Sequence, residues 1–334
     1  MKLTPPYAVF LGDATDRLSL KMANSIAAWR KEQCIGEITL PDCTVTTGLP
    51  QLSVEQAAEL GAKTFVLGFN NAGGHIDAKY LPDIKLAIQQ GLHIVNGLHD
   101  KLTDIPELVS LATQYQVDLI DIRHPTSRFK TASGENRTGK RLLTVGTDCS
   151  VGKMYTTLAI HEALQAQKIN STFRATGQCG ILIAGEGVAV DCVVSDFISG
   201  AVEALTPDNE DDHWDVIEGQ GSLFQPAYAG VTLGLIHGAQ PDALVLCHIL
   251  EREKMRGMPS YTLPDINEAI ELNLTHARLT NPRCQMVGIS VNTMAVDEKT
   301  AKEVCLQISQ QTGLPCQDPI RHGVKDIIQQ MMTH

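Results

Sequence analysis

The segment TVGTDCSVGKMYTT, from Thr144 to Thr157, decides how the second half of the chain is interpreted. It is close to the phosphate-binding pattern G-x-x-x-x-G-K-[ST], in which backbone amides and a lysine hold phosphate and a hydroxyl holds Mg²⁺. Two positions depart from the pattern: Thr147 stands at the first glycine position, one residue after Gly146, and Met154 replaces the hydroxyl. A thioether is a poor ligand for a hard cation. The segment therefore predicts phosphate binding without the usual magnesium ligand.

The residues around this loop meet the physical requirements of an anion site. An apolar strand, Arg141–Gly146, runs into a compact turn, and a helical pattern covers Lys153–Gln167. Consecutive backbone N–H groups and a helix amino end would then surround one anion, with Lys153 adding its charge. The alternative is a tight strand-to-helix turn with an incidental Gly-Lys pair. The predicted cofactor-binding residues of the loop are Thr147, Asp148, Cys149, Ser150, Val151, Gly152, Lys153, Met154 and Tyr155.

The composition excludes several classes of protein. The formal net charge of −11 argues against a nucleic-acid partner, since phosphate backbones need a basic surface. The amino terminus lacks a basic region followed by a long apolar run, and no apolar stretch approaches membrane-spanning length. The nine cysteines include no C-x-x-C pair and no zinc spacing. We expect a cytoplasmic protein with reduced thiols and no structural metal.

Strand and helix patterns alternate along both halves of the chain, which predicts parallel sheets of the α/β class. One helix is predicted from about Leu18 to Trp29 and another, with a serine cap, over Ser53–Leu60. The alternation stops in a polar, turn-rich stretch before Lys140. We therefore predict a Rossmann-like domain over residues 1–128, a linker over 129–140 and a P-loop NTPase-like domain over 141–334.

A carboxylate follows one of the predicted strands of the second domain. The strand Asp215–Glu218 ends at Glu218 and is followed by Gly219-Gln220-Gly221-Ser222. In open α/β sheets ligands lie beyond the carboxyl ends of the strands. We expect Glu218 to face the same crevice as the loop, where it could act as a base, bind an amine or coordinate a metal.

Three segments of the second domain resemble dethiobiotin synthetase. VGTDCSVGK is similar to the G-T-D-T-x-V-G-K-T loop of that family, and IEGQGSL is similar to its V-E-G-A-G-G segment. VGISVNT places Asn292 where that family and its amidoligase relatives carry an asparagine near the adenine. The resemblance implies a P-loop domain with Asn292 as a further cofactor-binding residue.

The full chain resembles a narrower family of two-domain proteins, the D-glutamate N-acetyltransferase family. The resemblance rests on the Rossmann-like first domain, the GTDCSVGKM loop, ATGQCGILIAG and EGQGSL. It implies transfer of acetyl from acetyl-CoA to an acidic amino acid, by an enzyme for which we expect a homo-oligomer. Met154 is consistent with this function, because the CoA diphosphate does not react and its binding needs no metal ion. Thr156 or Thr157 could still replace the missing ligand, so that Mg-ATP binding, an ATP-dependent ligase or a nucleotide sensor remain alternatives.

The resemblance also guides the choice of catalytic and acceptor residues. Glu218 is the first candidate for the base, Lys153 for polarising the thioester oxygen, and Asp196 is a further catalytic candidate or a simple helix cap. Two carboxylates on the acceptor would need basic or polar partners. The predicted substrate-binding residues are Arg174, Gln178, Arg252 and Arg256. An ordinary turn at Arg174 and a solvated helical face around Arg252 are the alternatives, and His237 and His248 are expected to be structural.

Overall fold

A computed structural model describes residues 3–17, 19–71, 73–125 and 127–333. Leu18, where the first helix is predicted to begin, lies outside the described residues. The strands are β1 Tyr7–Gly12, β2 Cys34–Thr39, β3 Thr64–Leu67, β4 His93–Asn96, β5 Leu119–Asp121, β6 Lys140–Gly146, β7 Ser171–Arg174, β8 Trp214–Ile217, β9 Ala243–Ile249, β10 Lys254–Met255, β11 Met258–Thr262, β12 Gln285–Asn292 and β13 Cys316–Gln317. The α-helices are α1 Lys21–Trp29, α2 Val54–Glu59, α3 Leu81–Gln89, α4 Pro106–Tyr115, α5 Lys153–Ala166, α6 Gln178–Ala184, α7 Ile198–Leu205, α8 Ala229–Ala239, α9 Ile266–Ala277, α10 Glu298–Thr312 and α11 Lys325–Met332.

The chain divides into two compact units, residues 1–126 with 177–192 and residues 127–176 with 193–334. The described part of the first unit contains a parallel sheet in the order β2-β1-β3-β4-β5. The strands β1 and β3 are buried on both faces, as expected where helices cover a parallel sheet. Ser53 caps α2 through a reciprocal pair of hydrogen bonds with Gln56, which confirms the serine cap expected there.

The second unit contains a parallel sheet in the order β13-β12-β9-β6-β8-β7. The strand that leads into the loop, β6, therefore lies between β9 and β8. Gly146 of β6 is paired with Cys247 of β9, and Leu143 of β6 is paired with Ile217 of β8. Apolar side chains of the strands, among them Leu142, Val245 and Val287, pack against Ile160 of α5 and Ile327 of α11. This order brings the segments that follow β6, β8 and β9 to one edge of the sheet.

The predicted α/β class with a parallel sheet in each half is confirmed. Boundaries differ little: β7 has the predicted limits and α5 ends one residue early. Two features differ from the sequence analysis. Residues 177–192, assigned to the second domain, belong to the first unit, and residues 254–262 form the antiparallel hairpin β10–β11, which was not predicted. None of the described helices combines the length and apolarity needed to cross a membrane.

Candidate active site

The loop between β6 and α5 has the backbone of an anion-binding turn. Ser150 and Gly152 both adopt left-handed conformations, with φ of 54° and 108°. Alternation of left-handed and right-handed residues turns successive N–H groups toward one point, which is the geometry of an anion nest. The helix α5 starts at Lys153, and its amino end has no side-chain cap. The first turn of α5 is therefore open to an anion.

Lys153 is held beneath the loop with only 7% of its surface exposed. Its Nζ atom donates to the carbonyl oxygen of Asp148 at 2.9 Å. Two glycines make room for this side chain, since a Cβ atom at Gly146 would lie 3.0 Å from Lys153 Nζ and one at Gly219 would lie 2.9 Å from Lys153 Cδ. The lysine is thus placed by packing as well as by hydrogen bonding.

The threonine hydroxyls in the first turns of α5 are engaged with protein groups. Met154 is buried with its thioether at the place of the magnesium-binding hydroxyl in the sequence pattern. The Thr156 hydroxyl donates to the Gly152 carbonyl at 3.1 Å and lies 2.7 Å from Ser290 Oγ. The Thr157 hydroxyl donates to the Lys153 carbonyl at 2.8 Å. Both threonines are buried, and their hydroxyls are engaged with protein groups.

Two arginines from the segment before and within the β10–β11 hairpin contact the loop. Arg252 donates to Asp148 Oδ2 at 3.1 Å and to the Cys149 carbonyl at 2.8 Å. The backbone N–H of Arg256 donates to the same Asp148 oxygen at 2.7 Å, and its guanidinium donates to Ser150 Oγ. The segment is not a helix, which rules out the alternative of a solvated helical face: strand pairing places the arginines against the loop.

Glu218 directly follows β8, the strand that pairs with β6 on the side opposite to β9. It is 4% exposed, and its Oε2 atom accepts a hydrogen bond from the Thr176 backbone N–H at 3.0 Å. The next residue, Gly219, donates its N–H to Thr144 Oγ1 of β6 at 3.0 Å. These bonds fix the Glu218 carboxylate at the carboxyl ends of the strands, where the loop also lies.

The remaining predicted residues lie in other settings. Arg174 Nε donates to Asp215 Oδ1 at 2.6 Å, so that this arginine compensates a buried carboxylate. Gln178 is the first residue of α6 and belongs to the first unit. Asp196 is exposed in a turn before α7, whose N-cap is Phe197, so Asp196 is not the helix cap. Asn292 ends β12 and accepts the Met294 N–H at 3.0 Å. Among the described residues, hydrogen bonds to the loop include neither Asp196 nor Asn292.

His248 is a neighbour of the loop to which the sequence analysis assigned no role at the site. Its Nδ1 atom lies 3.0 Å from the Thr147 hydroxyl. The pKa of His248 is lowered below its usual range, mainly by burial and secondly by the charge of Arg252. The signal in the sequence was its place just beyond an apolar strand, but only the pairing of Gly146 with Cys247 shows which loop it faces.

Family models cover most of the chain. Residues 128–328 match "Domain of unknown function (DUF1611_C) P-loop domain", and residues 38–125 match "Domain of unknown function (DUF1611_N) Rossmann-like domain". The chain belongs to the DUF1611 family. The predicted Rossmann-like and P-loop halves are thereby confirmed.

Relatives of this DUF1611 chain are similar over nearly its whole length. A D-glutamate N-acetyltransferase of Pseudoalteromonas sp. is 60% identical over 328 residues, 98% of this chain and 99% of the relative. One of Tritonibacter scottomollicae is 48% identical over 323 residues, 97% of each. The crystal structure of a DUF1611 family protein from Anabaena variabilis superposes with a TM-score of 0.91 at 34% identity, covering 99% of this chain and 100% of that one. The chain is accordingly an N-acetyltransferase, an acyltransferase enzyme.

Proposed function

We propose that this enzyme transfers the acetyl group of acetyl-CoA to the amino group of D-glutamate, and that the 147–154 loop anchors the CoA diphosphate. The names of the two curated relatives support the acceptor, given their similarity over almost all of the chain. The loop supports the donor: it combines an anion nest, a helix amino end and a lysine with a methionine in place of the metal hydroxyl. Asn292, at the end of β12, is the residue proposed to meet the adenine.

The loop geometry suits anchoring better than phosphoryl transfer. Phosphoryl transfer moves charge between oxygens, and a metal ion neutralises that charge. Acetyl transfer leaves the CoA diphosphate unchanged, so the loop needs only to compensate a constant negative charge. Backbone amides and Lys153 supply part of this compensation without a metal ligand. The buried, engaged hydroxyls of Thr156 and Thr157 support the same reading.

Acetyl transfer to an amine requires two proton movements. The ammonium group of D-glutamate first gives a proton to a base, for which Glu218 is the proposed residue. The neutral amine then attacks the thioester carbonyl, a C–N bond forms and the C–S bond breaks. The nitrogen gives its surplus proton to the departing thiolate, which leaves as CoA-SH. Hydrogen-bond donors to the carbonyl oxygen would stabilise the negative charge that develops on it.

A direct assay tests the donor and the acceptor together. The enzyme is incubated with acetyl-CoA and L- or D-forms of aspartate and glutamate, and release of free thiol is followed. We expect the fastest release with D-glutamate and no requirement for ATP. Product that forms only with Mg-ATP would refute the proposed donor, and a preference for another acceptor would refute the proposed substrate.

The role of Glu218 is tested by Glu218→Gln. Loss of a general base lowers turnover by about 10²–10⁴-fold, whereas the CoA affinity should change little because the loop is intact. Glu303→Gln is the matched control, since Glu303 is 65% exposed on α10, where it pairs with Lys299 at the surface. Full turnover in the Glu218→Gln enzyme would remove Glu218 from the mechanism.

A further inference from the structure

The segment before the β10–β11 hairpin contributes three side-chain hydrogen bonds, all from Arg252, to the loop. The acceptors are Asp148 Oδ2 at 3.1 Å, the Cys149 carbonyl at 2.8 Å and the Ser150 carbonyl at 3.3 Å. Asp148 is fully buried, and its ion pair with Arg252 compensates its charge inside the protein. Arg252 therefore holds three consecutive residues of the loop in place.

Arg256 differs from Arg252 in its charge balance. Its backbone N–H donates to Asp148, and its side chain reaches the Ser150 hydroxyl on the exposed side of the loop. Within the described residues, Arg256 forms no ion pair with a carboxylate. Its guanidinium consequently adds positive charge beside the nest, where a bound anion would be the partner.

The same loop has lost its metal ligand. Met154 occupies the place of the hydroxyl that holds Mg²⁺ in the sequence pattern, and the hydroxyls of Thr156 and Thr157 face Ser290, Thr144 and the helix backbone. A diphosphate bound in the nest would still need more positive charge than the amides and one lysine supply. Arg256, which is bonded to Asp148 and Ser150, can supply such charge from outside the loop.

We infer that Arg252 and Arg256 replace the magnesium ion of metal-dependent P-loops, Arg252 by fixing the loop and Arg256 by contacting the diphosphate. This inference rests on the proposed function, because it takes CoA as the ligand of the loop. Arginine suits the task, since its planar group donates two parallel hydrogen bonds to phosphate oxygens. CoA binding should then be independent of divalent cations.

The test measures CoA binding by calorimetry with Mg²⁺ and with excess EDTA. The wild-type dissociation constant should be the same in both. Arg256→Gln should weaken binding by about tenfold to a hundredfold, the effect of losing charge-assisted hydrogen bonds. Arg256→Lys keeps the charge and should lose less. Arg283→Gln is the matched control, because Arg283 is exposed before β12, at the other end of the sheet, and should bind CoA like wild type.

The outcomes separate this inference from the proposed function. CoA that binds only with Mg²⁺ would overturn the inference while leaving acetyl-CoA as donor. Failure of CoA to bind at all, with tight binding of Mg-ATP, would overturn both.

A third possible result concerns the acceptor. The KM for acetyl-CoA and the KM for D-glutamate are measured separately for Arg256→Gln. We expect the donor KM to rise. A rise confined to the acceptor KM, with unchanged CoA binding, would return Arg256 to the role of carboxylate ligand and refute the inference.

Discussion

Substitution of Gly219 by alanine should damage both stability and catalysis. Gly219 follows Glu218, and its Cα faces the backbone of β6. A methyl group there would stand 1.7 Å from the Thr144 carbonyl oxygen and 2.9 Å from Lys153 Cδ. Carbon atoms ordinarily come no closer than about 3.3 Å to a carbonyl oxygen, so the two segments would have to separate by roughly 1.6 Å.

The size of both effects follows from that displacement. Overpacking of this kind costs about 1–3 kcal/mol, which for a domain of this size lowers the melting temperature by roughly 2–12 °C. Because Glu218 is the adjacent residue, it would move with the chain. A misplacement of about 1 Å in a catalytic group can cost about a hundredfold in rate. We therefore expect kcat/KM for acetyl transfer to fall by about that factor.

Calorimetric unfolding and the thiol-release assay measure the two effects. Gly230→Ala adds the same methyl group at a place on α8 where a Cβ atom would meet nothing within 4 Å. Since alanine is the better helix former by up to about 1 kcal/mol, this control should unfold at the wild-type temperature or slightly above it. An alanine at position 219 that leaves both melting temperature and kcat/KM unchanged would refute the packing argument and the role of Glu218's position.

Two further predictions concern charge in the second unit. Arg174→Met leaves the Asp215 carboxylate, which is 2% exposed, without its ion pair to Arg174. The free energy of unfolding, measured by denaturant titration, should therefore fall by about 3–5 kcal/mol. Unchanged stability with a raised KM for the acceptor would instead support substrate binding by Arg174. Burial, and next the neighbouring His276, lowers the pKa of His237, so its contribution to stability is present above the ordinary value of about 6.5 and is lost as the pH falls through the folded-state pKa. The melting temperature should therefore drop less steeply between pH 7 and pH 5 in His237→Gln than in wild type, and equal slopes would contradict this.

The sequence carried enough local information to predict the strands, the loop and the helix that follows it. Apolar runs of strand length and a Gly-Lys pair before a helical pattern are local signals, and the β6–loop–α5 unit appears where they place it. The serine cap of α2 is another such case, because Ser53 and Gln56 are only three residues apart. Periodicity also indicated a strand ending near Glu218, although β8 stops one residue earlier.

Contacts between distant segments could not be predicted in this way. The Arg252–Asp148 pair spans 104 residues, and it exists because a short hairpin follows β9 and turns toward the loop. The Arg174–Asp215 pair spans 41 residues, and it exists because Asp215 lies on the neighbouring strand β8. The order of the strands in the sheet determines both contacts, and local sequence patterns do not reveal that order.

The loop shows how a change at one residue can alter the chemistry of a site while the fold stays the same. The nest of Ser150 and Gly152 depends on backbone conformation, so it survives a change of side chain at position 154. The usual magnesium ligand depends on the side chain, so a methionine at that position removes the hydroxyl. In the mechanism inferred above, the compensating charge comes from outside the loop, from the segment carrying Arg252 and Arg256, which is bonded to three of its residues. A P-loop fold alone therefore does not predict ATP chemistry, and the side chains that contact the loop are the better guide to the reaction.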